Sequence, residues 1–202
     1  MPATGPRSFD PVVVGNRETD AWAAYYRHEW RSFLSASVGM VAAAFGMSPR
    51  RTLAGAWFVL RANQLWAPYP DNQPDAARAY MRRFYELVAQ DGELPLDPAR
   101  AARLEVEWWR IHRAHQHDDA VTTDQLAAAL VDLYSYVYDA DPEAIRPAAL
   151  KRVEAMDLSD RWVRAGCDHD DPLLAAERRA LVASYAALRK AVERSPFRRA
   201  HP

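Results

Sequence analysis

The chain has 202 residues, 50% hydrophobic and 26% charged, with a formal net charge of −1; this suits a globular domain able to bury a substantial core. The even balance of charge excludes a global field that would draw in nucleic acid, anionic lipid or an acidic substrate. One cysteine, Cys167, excludes an intrachain disulfide framework and any Cys-x-x-Cys zinc site, so a reducing, cytoplasmic setting is expected.

Residues 1–16 carry Pro2, Pro6 and Pro11 without a long apolar core. They do not read as a signal peptide, and a flexible arm is expected there, followed by one helical domain over 17–195 and a tail over 196–202. Thr19 or Asp20 starts a first helix, and Gly46 stops it. If continuous from Asp20 to Phe45, that helix is about 39 Å long. Ser32 to Pro49 contains no charged residue over 18 positions, which raises the question of a membrane span. Its serines, its two glycines and the closing proline point instead to a tightly packed helix in a globular protein, and membrane-surface association stands as a further alternative.

The second helix, Pro49 to Ala67, is hydrophobic nearly all round: Leu53, Trp57 and Leu60 share one side, Phe58 and Leu65 a second, Val59 and Trp66 a third. Such a helix needs enclosure, so the first two helices are expected to form a central hydrophobic hairpin. A third helix runs from Pro74 to Gln90, with Gly92 ending it. Asp97-Pro98 opens a fourth that reaches His117, and Thr122 with Gln125 has capping-box spacing for a fifth. Asp141-Pro142 and Pro147 introduce one or two helices up to Gly166, with a break expected near Asp157–Asp160. Asp171-Pro172 starts the last, which ends near Arg194. No stretch alternates with period two. The chain reads as all-α, a single compact bundle-like domain of about seven helices.

Polar residues on apolar faces mark the candidate site. Glu29 falls between Trp22, Phe33, Ala36 and Met40, while His28 falls on the wet side. On the fourth helix Glu105, His112 and His115 share the inward face with Leu104 and Trp108. Arg61, Asn63 and Gln64 ride on the apolar second helix and need partners if buried. A carboxyl among rings has a raised pKa and an imidazole beside it titrates near neutrality, which suits acid–base chemistry by Glu29, Glu105, His112 and His115. The same groups suit a divalent metal, although neither Glu-x-x-His nor His-Glu-x-x-His spacing is present. They equally suit a purely structural ion-pair network of Glu29, Arg61 and Glu105, completed by His112 and Gln64.

Cys167 with His169 lacks zinc-site spacing, and nothing near the thiol in sequence activates it. Tyr136 turns outward, available to a protein partner. Phosphate loops, nucleophile elbows and dinucleotide fingerprints are absent. Two function classes follow. One is a binding or interaction protein with a pocket for a small apolar or aromatic ligand, lined by Trp22, Trp57, Trp108 and tyrosines, with Arg61 and Gln64 as polar contacts. The other is a small enzyme using the Glu/His cluster, with Arg61 anchoring an anionic substrate group.

Overall fold

The computed structural model describes residues 5–90, 94, 96–118 and 120–195. Among the described residues there are eight α-helices and no strand: α1 (Pro11–Tyr26), α2 (Trp30–Phe45), α3 (Pro49–Trp66), α4 (Pro74–Ala89), α5 (Pro98–His117), α6 (Thr123–Tyr138), α7 (Pro142–Arg164) and α8 (Pro172–Arg194). Proline opens α1, α3, α4, α5, α7 and α8, where its missing N–H has no intrahelical partner to lose. Asp10, Asp97, Asp141 and Asp171 cap their helices by accepting from first-turn N–H groups, and Thr122 and Gln125 complete a reciprocal capping box. Ser48 occupies the cap position of α3 but makes no side-chain bond there. No helix among the described residues is long and apolar enough to cross a membrane.

The long first helix is two helices, and this accounts for eight rather than seven. His28 adopts φ +57°, a left-handed conformation that L-residues enter only at some cost. The chain turns there, the Glu29 N–H reaching the Ala24 carbonyl at 2.8 Å, and α2 doubles back along α1. Gly39 of α2 lies against the Arg17 side chain of α1. The helical start also falls earlier than expected, at Pro11, so the stretch expected to be a free arm contains most of the first two turns of α1. Phe9 before it is 1% exposed and meets Tyr185 edge-on at 5.8 Å. Arg7 donates to the carbonyls of Tyr138, Val192 and Ser195, capping the ends of α6 and α8, where partial negative charge accumulates. The tail at 196–202 and Gly92 lie outside the described residues. At the other end of the chain, α7 runs unbroken through Pro147 and through Asp157–Asp160.

Each helix packs chiefly on its two neighbours in the chain, and α8 closes back on α1. The principal contacts therefore form a circuit of eight helices. The hairpin expected at Gly46–Pro49 is present as α2 and α3, two adjacent members of that circuit. α3 is enclosed on one side only: Leu53 is 56% and Trp57 48% exposed. In the middle of the circuit lies a cavity.

Candidate functional site

The cavity measures about 210 Å³ and takes side chains from all eight helices. Rings dominate its wall, among them Trp22, Phe84, Tyr85, Trp108, Trp109 and Tyr138. The helix α5 runs along it for three turns, presenting Glu105, Trp108, Trp109, His112, Arg113 and Gln116. These positions recur at steps of three or four, so one face of a helix supplies them all.

A buried ion pair stands at the inner wall. Glu18 of α1 and Arg152 of α7 are each 5% exposed. Both terminal guanidinium nitrogens of Arg152 donate to Glu18, Nη1 to Oε2 at 2.9 Å and Nη2 to Oε1. Tyr185 of α8 donates to the same Oε2 at 2.5 Å. The Arg152 guanidinium also lies 5.4 Å from the ring centres of Trp22 and Trp108 and 5.9 Å from those of Tyr134 and Tyr185. Its Nε meets no acceptor, and ring faces take the place of an oxygen around the charge. Burial alone would lower the arginine's pKa, but the Glu18 carboxylate and the tyrosines outweigh it, and the group is held charged, well above its ordinary value. Burial lifts the Tyr85, Tyr134, Tyr138 and Tyr185 hydroxyls above the usual tyrosine range, so they remain neutral donors.

Glu105 is the second carboxyl in the cavity wall. Its Oε1 accepts from Trp108 Nε1 at 3.1 Å and Trp109 Nε1 at 3.2 Å, and its Oε2 accepts from Tyr85 at 2.7 Å. Burial pushes its pKa up; the Tyr85 hydrogen bond, the Arg152 charge and the Trp108 hydrogen bond pull it back only in part. Further along α5, His112 Nε2 lies 3.2 Å from Asp160 Oδ2, and Gln116 donates to Asp160 Oδ1 at 2.6 Å and to Tyr26 at 3.3 Å. Burial opposes ionisation of Asp160, yet the hydrogen bonds and charge of His112 and the amide of Gln116 win, and its carboxyl sits below the usual value. Arg113 closes this end, donating to Tyr25 at 3.2 Å and lying over Trp66 and Tyr69 at 5.7 and 5.4 Å.

Of the residues singled out from the sequence, the fold brings Glu105, Trp108 and His112 to the cavity, together with Trp22 and Asn63. Others go elsewhere. Glu29 sits in the turn between α1 and α2, paired with Arg27 at 2.7 Å and 39% exposed in its side chain. The break at His28 resets the angular register on which its inward placement depended. Arg61 donates to Gln64 at 2.6 Å and, like Trp57, lies off the face of α3 that supplies Val59, Asn63 and Trp66 to the cavity. Trp57 and Trp66, nine residues apart, point in opposite directions. The expected Glu29–Arg61–Glu105 network therefore does not form. His115 faces the α5–α6 connection, with Nδ1 at 2.6 Å from the Val121 carbonyl and Nε2 at 3.5 Å from Asp157.

Tyr136 accepts the Asp97 N–H at 2.7 Å, and the Arg100 guanidinium lies 4.3 Å from its ring centre. Burial raises the Cys167 thiol pKa against a smaller opposing effect of Arg27, the wrong direction for a nucleophile. Among the described residues no three His, Cys, Asp or Glu side chains converge in a way that could hold a metal ion.

Sequence reasoning leaves Glu18 and Arg152 unmarked and shows Tyr185 only as part of the apolar stripe of the last helix. A signal was there. Val14, Glu18, Ala21 and Tyr25 follow helical i, i+4, i+7, i+11 spacing, and so do Ile145, Ala149, Arg152 and Met156. Each is an apolar stripe interrupted by one charge. The late helix start hides the first stripe, and Pro147, read as a possible second helix start, divides the other.

Comparison of the chain with protein-family models, with curated proteins and with solved structures gives no significant match.

Proposed function

We propose that this is a binding protein for a small, ring-bearing apolar molecule held in the central cavity. One observation carries the reading: a cavity of about 210 Å³, walled by aromatic side chains, occupies the place where a circuit of helices would otherwise bury a packed core. Close packing is the rule in protein interiors, and a void of this size forfeits contacts that a well-packed core would make. An engineered apolar cavity of roughly 150 Å³ takes up benzene. The volume here suits one ring with a short substituent, on the order of ten non-hydrogen atoms. The few polar groups in the wall (Glu105, the Glu18–Arg152 pair, His112) supply orientation, as in most small-molecule sites.

The test is a titration of the intact protein with indole and 4-ethylphenol, followed by tryptophan fluorescence and thermal unfolding. Saturable quenching with a raised Tm is the expected result. The Ala44→Leu variant, which adds side-chain volume at the cavity wall, is expected to unfold cooperatively and to lose the response. A wild-type protein that shows no saturable response to either compound contradicts the proposal. Acid–base turnover of a molecule in the same cavity is the second reading, and His112 in its wall, hydrogen-bonded to Asp160, favours it. That reading requires a turnover whose pH profile moves on Asp160→Asn. Native mass spectrometry showing a co-purified molecule bound and chemically unchanged argues against it.

A further inference from the structure

The cavity contains a carboxylate to which, among the described residues, no cation is hydrogen-bonded. Three donors point at Glu105: Trp108 Nε1, Trp109 Nε1 and the Tyr85 hydroxyl. All three are neutral. The two indole N–H groups can only donate, so Oε1 carries no proton, and the Tyr85 hydroxyl bonds to Oε2. An ionised carboxylate has about four acceptor positions; two donors occupy Oε1 and one occupies Oε2, which leaves a position on Oε2. Glu105 lines the cavity and retains accessible surface there.

The nearest guanidinium is already committed. Arg152 gives both terminal nitrogens to Glu18, so the inner wall carries two carboxylates and one arginine, a formal charge of −1. Arg113, the other arginine in the wall, stands eight residues further along α5, about 12 Å from Glu105 by helical rise, and its guanidinium lies among Tyr25, Trp66 and Tyr69. Buried charge is ordinarily paired with a counter-charge or a metal, and no metal-holding group of ligands converges here among the described residues.

We propose that the ligand is an organic ammonium: a primary amine on a one-ring or similarly compact apolar body, whose N–H donates to Glu105 Oε2 while the body fills the ring-lined cavity. This rests on the reading of the cavity as a small-molecule site, and it adds the charge that the ligand carries. The amine contributes one positive charge, brings the inner wall to neutrality and takes up the vacant acceptor position.

Three probes of the same carbon count test it on the intact protein at neutral pH by calorimetric titration: 2-phenylethylamine, 2-phenylethanol and phenylacetate. The amine is expected to bind at least about tenfold more tightly than the alcohol, the range of one charge-assisted hydrogen bond, and the acid more weakly than either. In Glu105→Gln the amine is expected to fall to the affinity of the alcohol, whose own binding changes by less than about threefold. If the alcohol binds and the amine shows no advantage, the charge inference is overturned and the cavity reading stands. If none of the three binds, both fall. The comparison of amine with alcohol in the wild-type protein decides the matter without any variant should Glu105→Gln fail to fold.

Discussion

Glu18 and Arg152 show why a single buried charge is dangerous and a pair is tolerable. Each is 5% exposed, and removing one leaves the other desolvated without its counter-charge. Glu18→Ala is therefore expected to destabilise the fold by about 3–5 kcal/mol, read as a lower urea midpoint. The double variant Glu18→Leu/Arg152→Met, which removes both charges and keeps the volume, should recover most of that loss. Glu177 of α8 makes a separate prediction. It is fully buried and neither carboxyl oxygen meets a donor in hydrogen-bond geometry. Burial, then the Glu18 charge, pushes its pKa from 4.5 up to about 8, against weaker opposition from Arg178 and Ser159. In the unfolded chain the carboxyl ionises near the ordinary value, so above it the native state holds the extra proton. Stability from this group is complete below pH 4.5 and drains away as pH rises to about 8, at up to roughly 1.4 kcal/mol per unit. Glu177→Gln cannot ionise. Its urea midpoint is expected to fall less between pH 5 and pH 8 than that of the wild type, and to exceed it at pH 8.

At the level of elements, two glycines separate backbone contact from side-chain contact. A Cβ on Gly15 of α1 would stand 2.9 Å from the backbone N and Cα of Val182 in α8. Gly15→Ala must push two helices apart and is expected to cost about 1–3 kcal/mol. A Cβ on Gly39 meets only the Arg17 side chain, 2.8 Å from Nε, and that chain can swing away. Gly39→Ala is expected to be neutral or to gain up to about 1 kcal/mol from helix propensity. Thermal unfolding of the two variants side by side checks the contrast. Arg7 acts between elements in another way, tying the last carbonyls of α6 and α8 to the segment before α1. Arg7→Ala should lower the urea midpoint, by about 1.5–3 kcal/mol if those charge-assisted bonds go unreplaced. Amide exchange is expected to quicken in the last turn of α8 before it does in α5.

On the scale of the whole molecule the closure of α8 on α1 decides what the centre can be. Both carboxyls and the arginine of the inner wall come from separate helices: Glu18 from α1, Glu105 from α5, Arg152 from α7. Tyr185 of α8 hydrogen-bonds Glu18, so α8 holds the pair as well as enclosing it. A chain ending at Gly166 lacks α8, and without it Leu181 and Leu188 no longer cover the faces of α7 and α1. That chain is expected to bind a hydrophobic dye and to lose the sharp, single unfolding transition of the full protein.

The sequence by itself determined that this protein is helical and where most helices begin. Those are local facts: an aspartate before a proline, a threonine three residues ahead of a glutamine, an apolar stripe of helical period. It also determined that Glu105 and His112 face inward, because the helix carrying them is unbroken and its register holds over all 20 residues. It did not determine the fate of Glu29. That depended on one residue, His28, entering a left-handed conformation, and in sequence nothing marks a histidine as the place where a helix turns back. Only the tertiary structure decided which charges meet. Glu18 and Arg152 are 134 positions apart, and their pairing follows from a circuit closing end to end. Periodicity reports which way a side chain faces; it cannot report what stands opposite. That depends on the packing of all eight helices at once.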